Sequence, residues 1–240
     1  MAEAKRVLVT GASGGIGGAI ARAFAAEGDA VMASGRSADR LAGLAAQCRD
    51  APGTVETRAG DLTDEAFAAS LAAAAAPVDV LVNSAGWVRH APFLESDPAD
   101  WEKSWRINVH APLVLTRLVA RDMAARGTGQ IVNLGSILGD RVYRYTLAYA
   151  AAKHALRGIS RGLRLELAGH GVKVTEIAPG LVETGLLDEV DHPEVLAAYA
   201  ARNHPPLQPA DVARAVLQAT AAAPNACPEL VVVNPMGQTM

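Results

Sequence analysis

Short aliphatic and β-branched runs alternate along this chain with longer alanine-rich stretches of helical period. The runs Arg6–Val9, Ala30–Ser34, Thr54–Arg58, Val78–Asn83, Gln130–Leu134, Lys173–Ile177 and Leu230–Val233 predict strands. Their continuous apolar character predicts burial on both faces, as in a parallel sheet. Helices are predicted near 15–27, 37–49, 64–75, 98–126, 147–169, 193–202 and 209–222. Ser37 and Thr63 stand where helices start, and Gly127 and Gly169 where helices stop. Strand–helix alternation implies right-handed crossovers and an α/β fold: a doubly wound parallel sheet of about seven strands, flanked by helices on both faces. No Pro/Gly/Ser linker divides residues 1–240, so a single domain is expected. The Pro-bearing stretch from 179 to 209 is long and irregular, and its 181–208 part is expected to act as a substrate loop.

Composition narrows the function classes. A net charge of −3 and a pI near 6.1 give no electrostatic case for a nucleic-acid or anionic-membrane partner. No run reaches the roughly 18 apolar residues of a membrane span, and no apolar export segment follows the opening charges. Cys48 and Cys227 stand alone, which fits a reducing cytoplasm. The six His are scattered without ligand spacing, so no metal site is read.

A few short motifs carry the chemistry. Thr10-Gly11-Ala12-Ser13-Gly14-Gly15-Ile16-Gly17 follows a predicted strand and opens a predicted helix, the context of a dinucleotide-binding turn. Glycines there let the backbone approach a pyrophosphate, and the helix N-terminus offers unpaired N–H groups. Asn83-Ser84-Ala85-Gly86 follows the fourth strand, Ser136 ends the fifth, and Tyr149-Ala150-Ala151-Ala152-Lys153 opens a helix. With four Tyr and four Lys in 240 residues, chance supplies roughly 0.07 such Tyr-x-x-x-Lys pairs. Pro179-Gly180-Leu181-Val182-Glu183-Thr184 follows the sixth strand.

Taken in order, these motifs resemble the short-chain dehydrogenase/reductase family over nearly the whole chain, with Ser84 replacing the family's second Asn. The resemblance implies a Rossmann-type fold, a nicotinamide cofactor and a catalytic set of Asn108, Ser136, Tyr149 and Lys153. It also implies cofactor contacts from Gly11, Ser13, Gly14, Gly15, Ile16 and Gly17, from Asn83, Ala85 and Gly86, and from Pro179, Gly180, Val182 and Thr184. Tyr149 and Lys153 would touch the cofactor as well, Lys153 through the nicotinamide ribose. Asp61-Leu62 resembles the family's adenine-contacting pair; Asp61 as the cap of the following helix is the other reading.

Cofactor choice rests on the end of the second strand. An acidic residue about 20 positions after the glycine turn would hold the ribose hydroxyls of NAD. Here that place carries Gly35, with Arg36 next, 19 residues after Gly17. Arg36 can pair with a 2′-phosphate through a bidentate fork, helped by Ser37 and Arg40. No Asp or Glu is expected close enough to repel that phosphate. NADP(H) is therefore the expected cofactor, with NAD(H) possible and Arg36 as a solvated loop charge the competing reading.

On a helix Tyr149 and Lys153 share one face. A neighbouring ammonium, with the cation of an oxidised nicotinamide, favours the phenolate and is expected to lower the Tyr149 pKa from its ordinary value near 10. Tyr149 then serves as general acid or base, while Ser136 hydrogen-bonds the substrate oxygen. By resemblance, Asn108 supports a water linking Lys153 to solvent. Family members line the substrate pocket with positions that are here Trp87, Arg89, His90, Leu138, Arg141, Tyr143, Tyr145, Leu181, Leu186 and Leu187. Arg89 and Arg141 read either as anion contacts or as structural charges, and His90 and His192 as loop residues. The 147–169 helix, with Leu156, Ile159 and Leu163, packs on its own sheet or on a second copy. Family members associate through this helix, so a homo-oligomer, a tetramer or dimer, is expected. The function expected is NADP(H)-dependent carbonyl reduction or alcohol oxidation. An NAD-dependent alcohol or diol dehydrogenase and a non-catalytic redox sensor are the alternatives.

Overall fold

The computed structural model describes residues 4–185, 190–202 and 204–238. One parallel sheet holds strands β1 (Arg6–Val9), β2 (Ala30–Gly35), β3 (Thr54–Ala59), β4 (Val80–Asn83), β5 (Gly129–Leu134), β6 (Val172–Pro179) and β7 (Leu230–Val233), in the order β3-β2-β1-β4-β5-β6-β7. The order reverses between β1 and β4, and the crevice at such a switch point is where open α/β sheets bind ligands. Helices α1 (Gly15–Ala26), α2 (Ala38–Gln47), α3 (Glu65–Ala75), α4 (Pro98–Trp105), α5 (Ala111–Arg126), α6 (Leu147–Leu167), α7 (Pro193–Ala200) and α8 (Pro209–Thr220) complete the described chain.

Strand pleating sends alternate side chains to opposite faces, and that sorts the core. Val7 and Val9 pack with Ile20 and Phe24 of α1 and Val212 and Val216 of α8. Leu8, between them, joins Leu71 of α3 and Leu115 and Met123 of α5 on the other face. Central strands are buried on both faces as expected. The edge strands are not: β3 is mostly exposed and β7 alternates between exposed and half-buried. An edge has only one neighbour, and Glu56 and Arg58 in β3 blunt it against further pairing.

Three boundaries move. Ser37 caps α2, accepting from the Arg40 N–H at 3.3 Å, but α3 is capped by Asp64 rather than Thr63. The α6 segment runs into a short 3-10 turn and stops at Gly171, whose φ of +71° is left-handed, not at Gly169. The single helix expected over 98–126 is broken by a π turn at Arg106–His110. Pro112 has no N–H to bond the Asn108 carbonyl four residues back, and the chain widens so that Ala111 N–H reaches Arg106 O.

Candidate active site

A cleft of about 500 Å³ runs across the carboxyl ends of β1, β4, β5 and β6. One end is built by the glycine turn. Gly11 sits at φ +66°, and a side chain there would come within 2.7 Å of the Ala85 backbone, so only glycine lets the two loops meet. Thr10 Oγ1 ties them, accepting from the Ser84 and Ala85 N–H groups at 3.1 and 3.2 Å. Gly14, at the start of α1, offers no side-chain cap, and the first turn carries no acid. The N-terminal amides of α1 are thus left to an anion. Gly11, Ser13, Gly14, Gly15, Ile16 and Gly17 all line this end.

Arg36 and Arg40 flank the cleft beside Gly35. A Cβ on Gly35 would lie 2.5 Å from Ser13 Oγ, so the turn excludes a side chain at the position where an acid would hold ribose. Ser37 does not reach the cleft and serves as the α2 cap. Asp61 and Leu62 do line it. Asp61 caps no helix: its carboxylate accepts from the Thr63 N–H at 2.8 Å and the Thr63 hydroxyl at 2.9 Å. These bonds, with the charges of Arg36 and Arg106, hold its carboxyl below the usual range. An acid therefore does stand near Arg36, contrary to expectation, with its charge already engaged.

At the other end Ser136, Tyr149 and Lys153 converge on one wall, with Ala85, Gly86, Pro179, Gly180, Val182 and Thr184 around them. Asn83 lies behind the wall, donating to Thr116 Oγ1 and Asn133 Oδ1 at 2.9 Å each. Asn108 is 1 % exposed in the π turn. Its Oδ1 accepts from Trp87 N–H at 3.2 Å and its Nδ2 donates to Trp87 O at 2.8 Å, fastening that turn to the loop after β4.

The charge states depart from expectation. Lys153 is 4 % exposed and donates to the Leu134 carbonyl at 2.7 Å, with its ammonium 5.5 Å from the Tyr149 ring centroid. Burial lowers its pKa to about 8, and Glu176 opposes the fall. The protein's own groups move Tyr149 up. Burial raises the phenol, Tyr199 adds to the rise, and a hydrogen bond from Ser136 opposes it. The Lys153 ammonium is held beside the ring on a strand carbonyl, and burial is the largest cause of the rise.

His90 lines the cleft as the resemblance implies, and it is buried there. It is 4 % exposed, packs edge-on to Tyr149 at 5.9 Å, and shares a 2.6 Å hydrogen bond between Nδ1 and the Tyr199 hydroxyl. Burial lowers its pKa to about 4. Tyr199 and Arg202, in and after α7, also line the cleft, and nothing but an aromatic within the irregular 179–209 stretch marked them in sequence. Trp87, Leu138, Tyr143 and Leu181 line it as expected; Arg141 and Tyr145 do not. The Tyr145 hydroxyl donates to Glu194, and His192 pairs with Glu95. Arg89 pairs with Asp191 at 2.9 Å and Asp100 at 3.9 Å, the structural reading. Leu186 and Leu187 lie outside the described residues. On α6, Leu156 is buried and Leu163 packs on the chain's own core, while Ile159 is half-buried.

Comparison with known proteins agrees with this geometry. Residues 5–195 match the family described as short chain dehydrogenase. The chain belongs to that family. Among curated relatives of this short-chain dehydrogenase, galactitol 2-dehydrogenase (L-tagatose-forming) of Cereibacter sphaeroides is 41 % identical, over 80 % of this chain and 77 % of its own. Among solved structures, the closed form of serine dehydrogenase complexed with NADP+ superposes with a TM-score of 0.88 at 31 % identity, covering 98 % of this chain and 96 % of that one. A single-substitution variant of actinorhodin polyketide ketoreductase with NADPH gives 0.87 at 30 % identity, with both chains fully covered. The protein is thus an oxidoreductase of the short-chain type, and no helix among its described residues is long and apolar enough to cross a membrane.

Proposed function

We propose that this short-chain dehydrogenase is an NADP(H)-dependent oxidoreductase interconverting a ketone or aldehyde and the corresponding alcohol, with Tyr149 as general acid/base. The observation that carries the reading is one continuous cleft, with Arg36 and the α1 N-terminus at one end and Ser136, Tyr149 and Lys153 at the other. The donor set fits a dinucleotide: free helix amides for a pyrophosphate, an Arg for a 2′-phosphate, and a glycine-lined approach. That NADP+ or NADPH is named in two of the similar structures supports the same choice. The bound nicotinamide supplies the hydride donor or acceptor. Ser136 holds the substrate oxygen, Tyr149 gives it a proton or takes one, and Lys153 binds the ribose. Asn108 stiffens the π turn, where a water joins Lys153 to solvent.

Residues 1–240 act in this reading as one catalytic domain, with 181–208 as the substrate loop. A second reading, an NAD-dependent alcohol or diol dehydrogenase, is favoured by the galactitol dehydrogenase relative. A panel of ketones, aldehydes and polyols, assayed by the ultraviolet absorbance of NADPH and of NADH, is expected to show turnover with NADPH preferred. Turnover confined to NADH would select the second reading, and no turnover with any substrate would leave a non-catalytic sensor. The lone cysteines fit a cytoplasmic setting. Exposed Trp105 on α4, Leu113 on α5 and Leu165 on α6 suit a homo-oligomer. Light scattering is expected to give a tetramer or dimer, and a monomeric mass would refute it.

A further inference from the structure

Beneath the cleft lies a charge cluster that the proposed chemistry leaves unused. α6 carries Tyr149, Lys153 and Arg157 at successive intervals of four, so all three share a face. Arg157 is 6 % exposed, and Glu176, reaching in from β6, is 2 % exposed. Arg157 Nε donates to the two Glu176 carboxylate oxygens at 3.2 and 3.3 Å, and Nη2 donates to Oε1 at 3.1 Å. The same Nη2 reaches the Ser136 carbonyl at 3.3 Å, and Nη1 lies 3.5 Å from Asp140 Oδ1. One guanidinium therefore grips both ends of the strap from Ser136 to Asp140. Gly135, just before the strap, leaves the space the carboxylate occupies, since a side chain there would overlap Glu176.

The carboxylate also acts at longer range. Glu176 is the charge that favours the Lys153 ammonium against its burial. Lys153 itself lies beside the Tyr149 ring and donates to the Leu134 carbonyl. A buried ion pair is poor evidence for stability, because apolar residues of similar volume often serve as well. Its retention directly under the reacting groups asks for another reason.

We propose that Arg157 and Glu176 are positioning residues, Glu176 orienting the Arg157 guanidinium and Arg157 holding the Ser136 strap in register with Tyr149. The inference rests on the assignment of Ser136, Tyr149 and Lys153 made above. It requires that loss of the pair slow the reacting step while cofactor binding and folding survive.

The test combines Arg157→Met with Glu176→Met, which removes both charges and leaves neither buried alone. The double variant is expected to melt near the wild-type temperature and to keep its KM for NADPH within about twofold. Its kcat should fall about tenfold or more, as misplacement of a reacting group does. Wild-type kcat in the folded double variant would overturn the proposal, as would a loss of kcat matched by equal losses of NADPH binding and melting temperature. Tyr149→Phe separates the layers. If that variant keeps turnover, the catalytic assignment itself is wrong; if it loses turnover while the double variant keeps it, only the positioning role is wrong.

Discussion

Turnover by the Tyr149→Phe variant is expected to fall by about 10²–10⁴-fold, the usual contribution of a positioned proton donor. The change removes one hydroxyl and little else. The ring keeps its edge contact with His90, and Ser136 Oγ keeps its bond from the Leu138 N–H. Folding and NADPH affinity should therefore survive, measured by thermal melting and fluorescence titration, and the loss should fall on kcat. Near-normal turnover would exclude the role. The raised phenol gives the pH dependence its sign. Burial keeps Tyr149 protonated at neutral pH, so the donor for carbonyl reduction is loaded there. Reduction should hold through neutrality and fail as pH rises, whereas alcohol oxidation, which needs the phenolate, should gain with pH.

The sheet was legible because its signals are local. Seven apolar runs separated by helical stretches are enough for a doubly wound fold, and each predicted strand appears within a few residues of its place. The glycine turn and the Tyr-x-x-x-Lys pair were legible for a similar reason: one compact segment carries each geometry. What failed were properties set by distant neighbours. The exposure of β3 depends on its edge position, which follows from strand order rather than from its own residues. The Tyr149 charge state depends on how completely Lys153 and the phenol are desolvated, which spacing along a helix does not encode. The buried hydrogen bond of His90 depends on α7, which brings Tyr199 back across 109 positions. Glu176 left a faint sign, an acid near the buried end of a strand, but its meaning needed Arg157 from another element.

Arg36→Asp is expected to reverse the cofactor preference. A charge-assisted bond to phosphate is worth about 1.5–3 kcal/mol, so kcat/KM with NADPH should fall by roughly ten- to a hundredfold or more once an acid also repels the phosphate. With NADH, which lacks that phosphate, the new carboxylate can accept from the ribose hydroxyls, and kcat/KM should hold or rise. Arg36 is the position to change because its neighbour is closed: a side chain on Gly35 would meet Ser13 Oγ at 2.5 Å. Fold stability should not confuse the result, since the α2 cap is made by Ser37 and not by Arg36. Asp61 gives an internal control. Its carboxylate lies within the electrostatic reach of Arg36 and is already bonded by Thr63, so it limits how much phosphate attraction Arg36 can exert. Asp61→Asn should accordingly strengthen NADPH binding in the wild type and do little in Arg36→Asp. Because a cleft-edge charge is screened by salt, the NADPH advantage should also shrink as ionic strength rises. A wild-type enzyme that prefers NADH at low salt would remove Arg36 from the site.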